Sequence, residues 1–449
     1  MTAPRSLCEQ IRLGRANALV PDIVSAVELA YGRGRLTVEL PESAVPTVFR
    51  KAGLRPVTDA RTAVTTALTE PVGSAPLAEL ARSRRSACIV ICDITRPVPN
   101  GVFLRPVIET LVEAGLAYED VTVLVATGLH RPNVGAELAE LVGDPWVLEH
   151  VRVENHDARD EDQLVDLGTT PTRGTPVTIN RWFVEADLRI VTGLVEPHFM
   201  AGWSGGRKVV APGIAGHRTI RTFHSYAFMA DPFATQCNLL NNPLHEEQLQ
   251  IVRKIGEAYA LNTVLDEDRR LLQVTFGEIV ASHAAAVTFA ESASKVRSAR
   301  QFGTVLTSAG GYPLDKTYYQ TVKSMVTPLD VLRPGGTLIV ASQCSEGFGS
   351  AEFADAQARL LALGPTAFLT ELSGKALADV DEWQTQMQLR SQTVGRVELF
   401  CDGLDPDQRR LTGTEVAVDL TAAVAASIRR TGDPHVAVVP DGPYTVPFR

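Results

Sequence analysis

Histidines, lysines and arginines stand where short apolar runs give way to turns, and together they could move protons on a small anion. His130 lies in Ala126-Thr127-Gly128-Leu129-His130-Arg131-Pro132 and His198 in Val195-Glu196-Pro197-His198-Phe199. Imidazoles titrate close to neutral pH, which suits acid/base work. Asp93-Ile94-Thr95-Arg96-Pro97-Val98-Pro99 offers a carboxylate, a hydroxyl and a guanidinium on a turn stiffened by proline. The planar fork of an arginine matches a carboxylate or phosphate; the plainer expectation is an Asp93–Arg96 ion pair tying down a loop. Ser204-Gly205-Gly206 could form a backbone nest for an anion just before Arg207-Lys208. The spacing from Gly202 to Lys208 is not that of a phosphate-binding P-loop, and no GxGxxG follows a strand. His224 follows in Arg221-Thr222-Phe223-His224-Ser225, where a structural role is the default. Further on, Gly310-Gly311-Tyr312-Pro313-Leu314-Asp315 precedes a helical pattern carrying Tyr319, Gln320 and Lys323. The last two are three residues apart and share a helix face. Trp383 sits among polar residues in Asp381-Glu382-Trp383-Gln384.

The elements that must position these groups are read from the apolar pattern. Ser86–Cys92, Val121–Ala126, Ala186–Val191, Gly303–Thr307, Gly336–Ala341 and His435–Pro440 are near-continuous apolar runs that stop at polar or glycine-rich turns. Helical periodicity fits Leu104–Ala114, Val134–Leu141, Pro243–Ala260, Ile279–Ala299, Tyr318–Val326 and Ala354–Ala362. Buried strands alternating with helices predict an α/β fold with mainly parallel sheets, in which ligands bind beyond the carboxyl ends of strands. The pattern lapses over 228–242 and around 266–277. We therefore expect two α/β domains, residues 1–285 carrying the histidines and 286–449 closing an active-site cleft between them.

Composition narrows the function classes. Of 449 residues, 43 are Lys or Arg and 52 Asp or Glu, for a net charge of −9. The densest basic cluster, Arg82-Ser83-Arg84-Arg85, reads as a solvated helix end, so nucleic acid is not an expected partner. No apolar stretch is long enough to span a membrane, and charges interrupt Met1–Val20 too often for a secretory signal. The six cysteines form no CxxC pair, which disfavours a cysteine-held metal. A cytoplasmic protein, with homo-oligomerisation open, is the expectation.

In their order along the chain, these motifs together resemble the lactate racemase family, 2-hydroxyacid racemases and epimerases that use the nickel-pincer nucleotide. The resemblance runs from about residue 70 to the end. It implies a pyridinium mononucleotide that grips nickel through two sulfur-bearing arms and a ring carbon, with Lys208 as its covalent attachment, His224 as nickel ligand, and His130 and His198 as paired catalytic histidines. It also implies that Asp93, Thr95 and Arg96 contact cofactor and substrate, that Gln320 and Lys323 face them from the second domain, and that Tyr319 and Trp383 wall the substrate pocket. Soft sulfur with imidazole suits nickel. Enzymes that assemble the cofactor would be partners. Ile94 departs from the pattern, since the lactate enzyme has a histidine there, and this leaves the 2-hydroxyacid or sugar acid open. Two other readings stand beside it: a zinc-dependent hydrolase or lyase built on His130, His198 and His224, and a non-catalytic carboxylate-binding protein.

Overall fold

The computed structural model describes residues 26–449; the expectation for Met1–Val20, and Cys8, lie outside the described residues. Two six-stranded sheets organise the chain. In the first the order is Leu271–Glu278, Tyr259–Leu265, Leu188–Leu194, Ala87–Cys92, Val121–Ala126, Arg152–Asn155. All neighbours are parallel except the first pair, which is antiparallel. In the second, the order is Glu415–Val416, Arg396–Phe400, Leu332–Ala341, Phe302–Ser308, His435–Val439, Val45–Val48, and every pair is parallel. Helices cover both faces, so Ile89, Val90, Ile91, Val305 and Leu306 have no exposed surface. That burial is why these strands read as unbroken apolar runs rather than alternating ones.

The α/β class and the parallel central strands match expectation, and several boundaries differ. The helix beginning at Pro243 ends at Ile255, where Gly256 turns to a positive φ of 89°. The chain then becomes the strand Tyr259–Leu265 instead of continuing helical to residue 260. The helix from Ile279 stops at Ser294, and Lys295–Arg297 is a short strand pairing with Val446–Phe448. The lapse expected around 266–277 holds only for its first residues, since Leu271–Glu278 forms the antiparallel edge of the first sheet.

The division at 285/286 falls inside the helix Ile279–Ser294, which packs on the first sheet. Nor do residues 26–48 fall with the rest of the expected first domain. Val45–Val48 pairs with His435–Val438, and the hairpin Ala26–Tyr31/Gly34–Glu39 places Val27 and Leu29 among Ile339, Val436 and Val438. The lobe built on the second sheet is therefore assembled from both ends of the described chain.

Each sheet has one topological switch point, where consecutive connections leave in opposite directions. In the first sheet it lies between Ala87–Cys92 and Leu188–Leu194; in the second it lies between Phe302–Ser308 and His435–Val439. Loops beyond such points diverge and leave a crevice. Among the described residues, no helix is long and apolar enough to cross a membrane.

Candidate active site

The first switch point opens into a cleft that the second lobe covers. All eleven residues singled out from the sequence line it: Asp93, Thr95, Arg96, His130, His198, Lys208, His224, Tyr319, Gln320, Lys323 and Trp383. Three loops of the first lobe supply the chemistry. The Ala87–Cys92 strand releases Asp93, Thr95 and Arg96; Val121–Ala126 releases His130; Leu188–Leu194 releases His198 and, further on, Lys208. The helix Tyr318–Val326, capped by the Thr317 hydroxyl on the Gln320 amide, turns Tyr319, Gln320 and Lys323 inward from the second lobe.

The expected Asp93–Arg96 pair is not formed, because each residue has another partner. Asp93 Oδ2 lies 2.6 Å from His130 Nδ1, and the Thr95 hydroxyl donates to Asp93 Oδ1 at 2.7 Å. Burial works against the Asp93 charge, but the hydrogen bonds from His130 and Thr95 outweigh it and hold the carboxyl below its usual range. Burial also works against a charged His130, yet the Asp93 hydrogen bond and charge raise this imidazole above the ordinary 6.5. With Nδ1–H donated to Asp93, Nε2 is the free atom, and about half of the side chain is open, at 49% exposure.

His198 is the opposite case. Its Nδ1 accepts from the backbone amides of Met200 and Ala201 at 3.4 and 3.2 Å. Amides can only donate, so the proton of the neutral ring sits on Nε2. Burial, then the positive charges of Lys208, Arg96 and Lys323, push its pKa well below 6.5.

Arg96 donates to Glu196 Oε1 at 3.0 Å, in an ion pair that is mostly buried. Lys208 and Lys323 bring two amines into the same space. Burial, with Arg96 and Arg207 nearby, lowers the Lys208 amine to about 7. Burial and Arg96 lower Lys323 as well. Both amines are therefore unusually ready to be neutral.

The glycines before Lys208 serve packing more than anion binding. The Gly206 amide is donated to Asn262 Oδ1 at 3.0 Å, and a side chain at Gly206 would strike the His283 ring. The nest expected at residues 204–206 is thus in part closed, and its backbone instead fixes where Lys208 begins. Beside it, Arg207 is buried without a carboxylate partner. It bonds His245 Nδ1 at 2.9 Å, His283 Nε2 at 2.8 Å and the Ala201 carbonyl at 3.0 Å. Burial alone lowers it to about 9.

His224 is buried against Trp383, with ring centroids 4.7 Å apart. Its Nδ1 donates to the Ile220 carbonyl at 2.8 Å, and burial holds its pKa at about 4. The ring is neutral with Nε2 unprotonated, the form a metal ligand needs. Trp383 Nε1 donates to the Tyr319 hydroxyl at 3.3 Å, and Gln320 Oε1 is a buried acceptor with no partner.

Sequence reading missed three residues of this site. Glu196 lies two residues before His198, and nothing in the sequence marks it as the partner of Arg96. Asp381 lines the cleft in a left-handed conformation, φ 64°, with its carboxylate held by the Ser350 hydroxyl at 2.6 Å. Burial raises its pKa. Arg207 could have been flagged only by its neighbours in sequence, Gly205-Gly206 and Lys208. Among the described residues no three His, Cys, Asp or Glu side chains cluster as a metal site, so His130, His198 and His224 do not form the zinc centre considered above.

Comparison with known proteins gives one consistent result. The profile of the lactate racemase N-terminal domain matches residues 31–236, and that of the lactate racemase C-terminal domain matches residues 298–446. The lactate racemase of Thermoanaerobacterium thermosaccharolyticum is 31% identical over 430 residues, covering 93% of this chain and 97% of that protein. That of Lactiplantibacillus plantarum is 32% identical over 422 residues, covering 93% and 98%. The solved structure of the T. thermosaccharolyticum lactate racemase apoprotein superposes with a TM-score of 0.86 at 29% identity, covering 94% of this chain and all of that one. A Thermotoga maritima protein shares the fold, with a TM-score of 0.65 at 19% identity over 89% of this chain.

Proposed function

The chain belongs to the lactate racemase family and is a racemase, and on that premise we propose that it inverts C2 of a 2-hydroxyacid with the nickel-pincer nucleotide attached at Lys208. The carrying observation is the pairing in one cleft of a neutral-ready amine, Lys208, with a histidine, His224, whose Nε2 is left unprotonated by its bond to Ile220. The donor set fits such a cofactor: an amine able to form the thioamide, an imidazole nitrogen for nickel, and the unpartnered Gln320 acceptor facing the same space. When bound, the group supplies a reversible acceptor for hydride at C2, which avoids removing a weakly acidic carbon-bound proton.

The rest of the reaction falls to this chain's own residues. Arg96 and Lys323 hold the substrate carboxylate through every stage. His130 takes the hydroxyl proton at Nε2 while Asp93 steadies the imidazolium. Loss of that proton together with a hydride from C2 leaves a planar 2-ketoacid, to which hydride can return on either face. His198 presents Nε2–H to the C2 oxygen. Tyr319 and Trp383 close the pocket against loss of the ketoacid.

The reading is tested by intact-protein mass and nickel analysis of chain coexpressed with the cofactor-assembly enzymes. A mass increase on Lys208, absent from Lys208→Ala, with about one nickel per chain lost in His224→Ala, is the expected result. An unmodified wild-type chain beside a modified control racemase would overturn it.

A further inference from the structure

The Gly310-Gly311-Tyr312 motif does not line the catalytic cleft. It lines a second cavity, at the switch point of the second sheet, of about 430 Å³ against about 160 Å³ for the cleft itself. Both lobes contribute to it: Arg33, Lys51, Tyr312 and Tyr444 from one side, Glu267 and Arg269 from the other. A third, small space of about 20 Å³ adjoins both, walled in part by Arg96, Glu196, His198, Lys323 and Tyr444. Arg96, His198 and Lys323 also face the cleft, while Glu196 and Tyr444 also face the second cavity. The three spaces therefore share walls, and the Arg96–Glu196 ion pair stands where they join. About 20 Å³ is room for little more than one water.

Charge along this line favours an anion. Of the carboxylates around the second cavity, Glu196 is taken by Arg96, Asp441 by Arg35 at 2.6 Å, and Asp266 and Asp268 by Arg270 at 2.7 and 3.1 Å. Glu267 is left beside Arg33, Arg269 and Lys51, the last an amine that burial lowers from its usual value. Arg33 is stacked 3.7 Å from the centre of the Tyr312 ring, Lys51 sits 5.4 Å over Tyr444, and Arg269 donates to the Tyr312 carbonyl. On the other side of the cleft, beside the half-open His130, Asp93 is held by His130 and Thr95, Asp381 by Ser350, and Arg131 by Glu137 at 2.7 Å. Arg33 and Arg269, which no carboxylate among the described residues holds, can draw an anion into the second cavity.

We propose that the second cavity is the antechamber through which the substrate carboxylate reaches the cleft, and that Glu196 is the placeholder it displaces from Arg96. A carboxylate arriving from Lys51 and Tyr444 meets Arg96 already extended and held by an oxygen acceptor of its own kind. Exchange of one carboxylate for another opens the join without leaving the guanidinium bare. The antechamber rests on the reading of Arg96 and Lys323 as the carboxylate grip.

Asp268, on the exposed rim of the second cavity with 60% of its side chain open, is the place to test it. Asp268→Cys is labelled with a bulky maleimide, and labelled wild type and unlabelled Asp268→Cys serve as controls. Binding of lactate, glycerate and malate to the full chain is followed by stopped-flow tryptophan fluorescence. The label is expected to slow kon and koff together by about tenfold or more with Kd unchanged, as an obstructed passage does and a damaged site does not. Lys51→Met should lower kon several-fold and flatten its dependence on salt. An unchanged kon in labelled Asp268→Cys, with normal binding by wild type, overturns the antechamber and leaves the racemase reading standing. If wild type, loaded with cofactor, binds none of the three acids, the carboxylate grip of Arg96 and Lys323 fails and takes the antechamber with it.

Discussion

The loops that follow two strands of one sheet, Val121–Ala126 and Leu188–Leu194, each deliver a histidine to the same cleft and give it opposite chemistry. His130 rests on a carboxylate, stays half open, and is raised above the ordinary imidazole value. His198 rests on two backbone amides, is buried among cations, and is held neutral. The difference lies in what meets Nδ1. A carboxylate there stabilises the added proton; two amides there forbid it, since protonating Nδ1 sets donor against donor. In the proposed reaction the two rings are therefore not interchangeable: His130 exchanges the proton, and His198 holds the oxygen as a neutral donor. Environments that push two like groups apart are how one site assigns separate acid and base roles.

The largest effect expected from breaking this contrast is at His130. His130→Ala should lower kcat by about 10²–10⁴-fold, the span of a positioned acid/base group, with the Lys208 adduct and nickel content unchanged by mass and metal analysis. Next comes Asp93→Asn. It removes the charge that raises His130, so the acid limb of kcat/KM, which needs His130 unprotonated, should move to lower pH, and kcat should fall by about 10-fold or more. An acid limb that stays in place would show that another group titrates. Glu196→Gln should act mainly on KM for the substrate, by a few-fold, read from initial rates across substrate concentration. The smallest effect is expected of the conservative change at His198. His198→Gln, which keeps a neutral donor, should retain far more activity than His198→Ala, whereas equal loss in both would make His198 a proton-exchanging group like His130.

The legible part of this molecule follows from burial. Ala87–Cys92 and Val121–Ala126 are covered on both faces, so they read as apolar runs whose polar ends mark the cleft. The helix Tyr318–Val326 was legible end to end because its cap and its apolar face agree. Edges were not legible. Arg152–Asn155 is polar and half exposed, and Leu271–Glu278 mixes buried with partly exposed positions. Asp381 escaped because its role depends on a left-handed backbone before the helix Glu382–Val394, a feature of tertiary contact rather than of local sequence. The partner of Arg96 escaped for the same reason: Asp93 is nearer in sequence, and Glu196 is nearer in space.

The strand Val45–Val48 has a consequence for the order in which the molecule is made. The first sheet uses residues 87–278, so it can close while the chain is still growing. The second sheet cannot, because Val45–Val48 pairs only with His435–Val439, nearly the whole described chain away. On a ribosome the segment 26–48 therefore emerges early, carrying Val27, Leu29 and Val38, and waits with those apolar faces unpaired until the last strand appears. Such long-range closure is slow and leaves sticky surface exposed in the meantime. The step most open to aggregation during synthesis is thus the meeting of this early segment with His435–Val439, far from the histidines of the cleft.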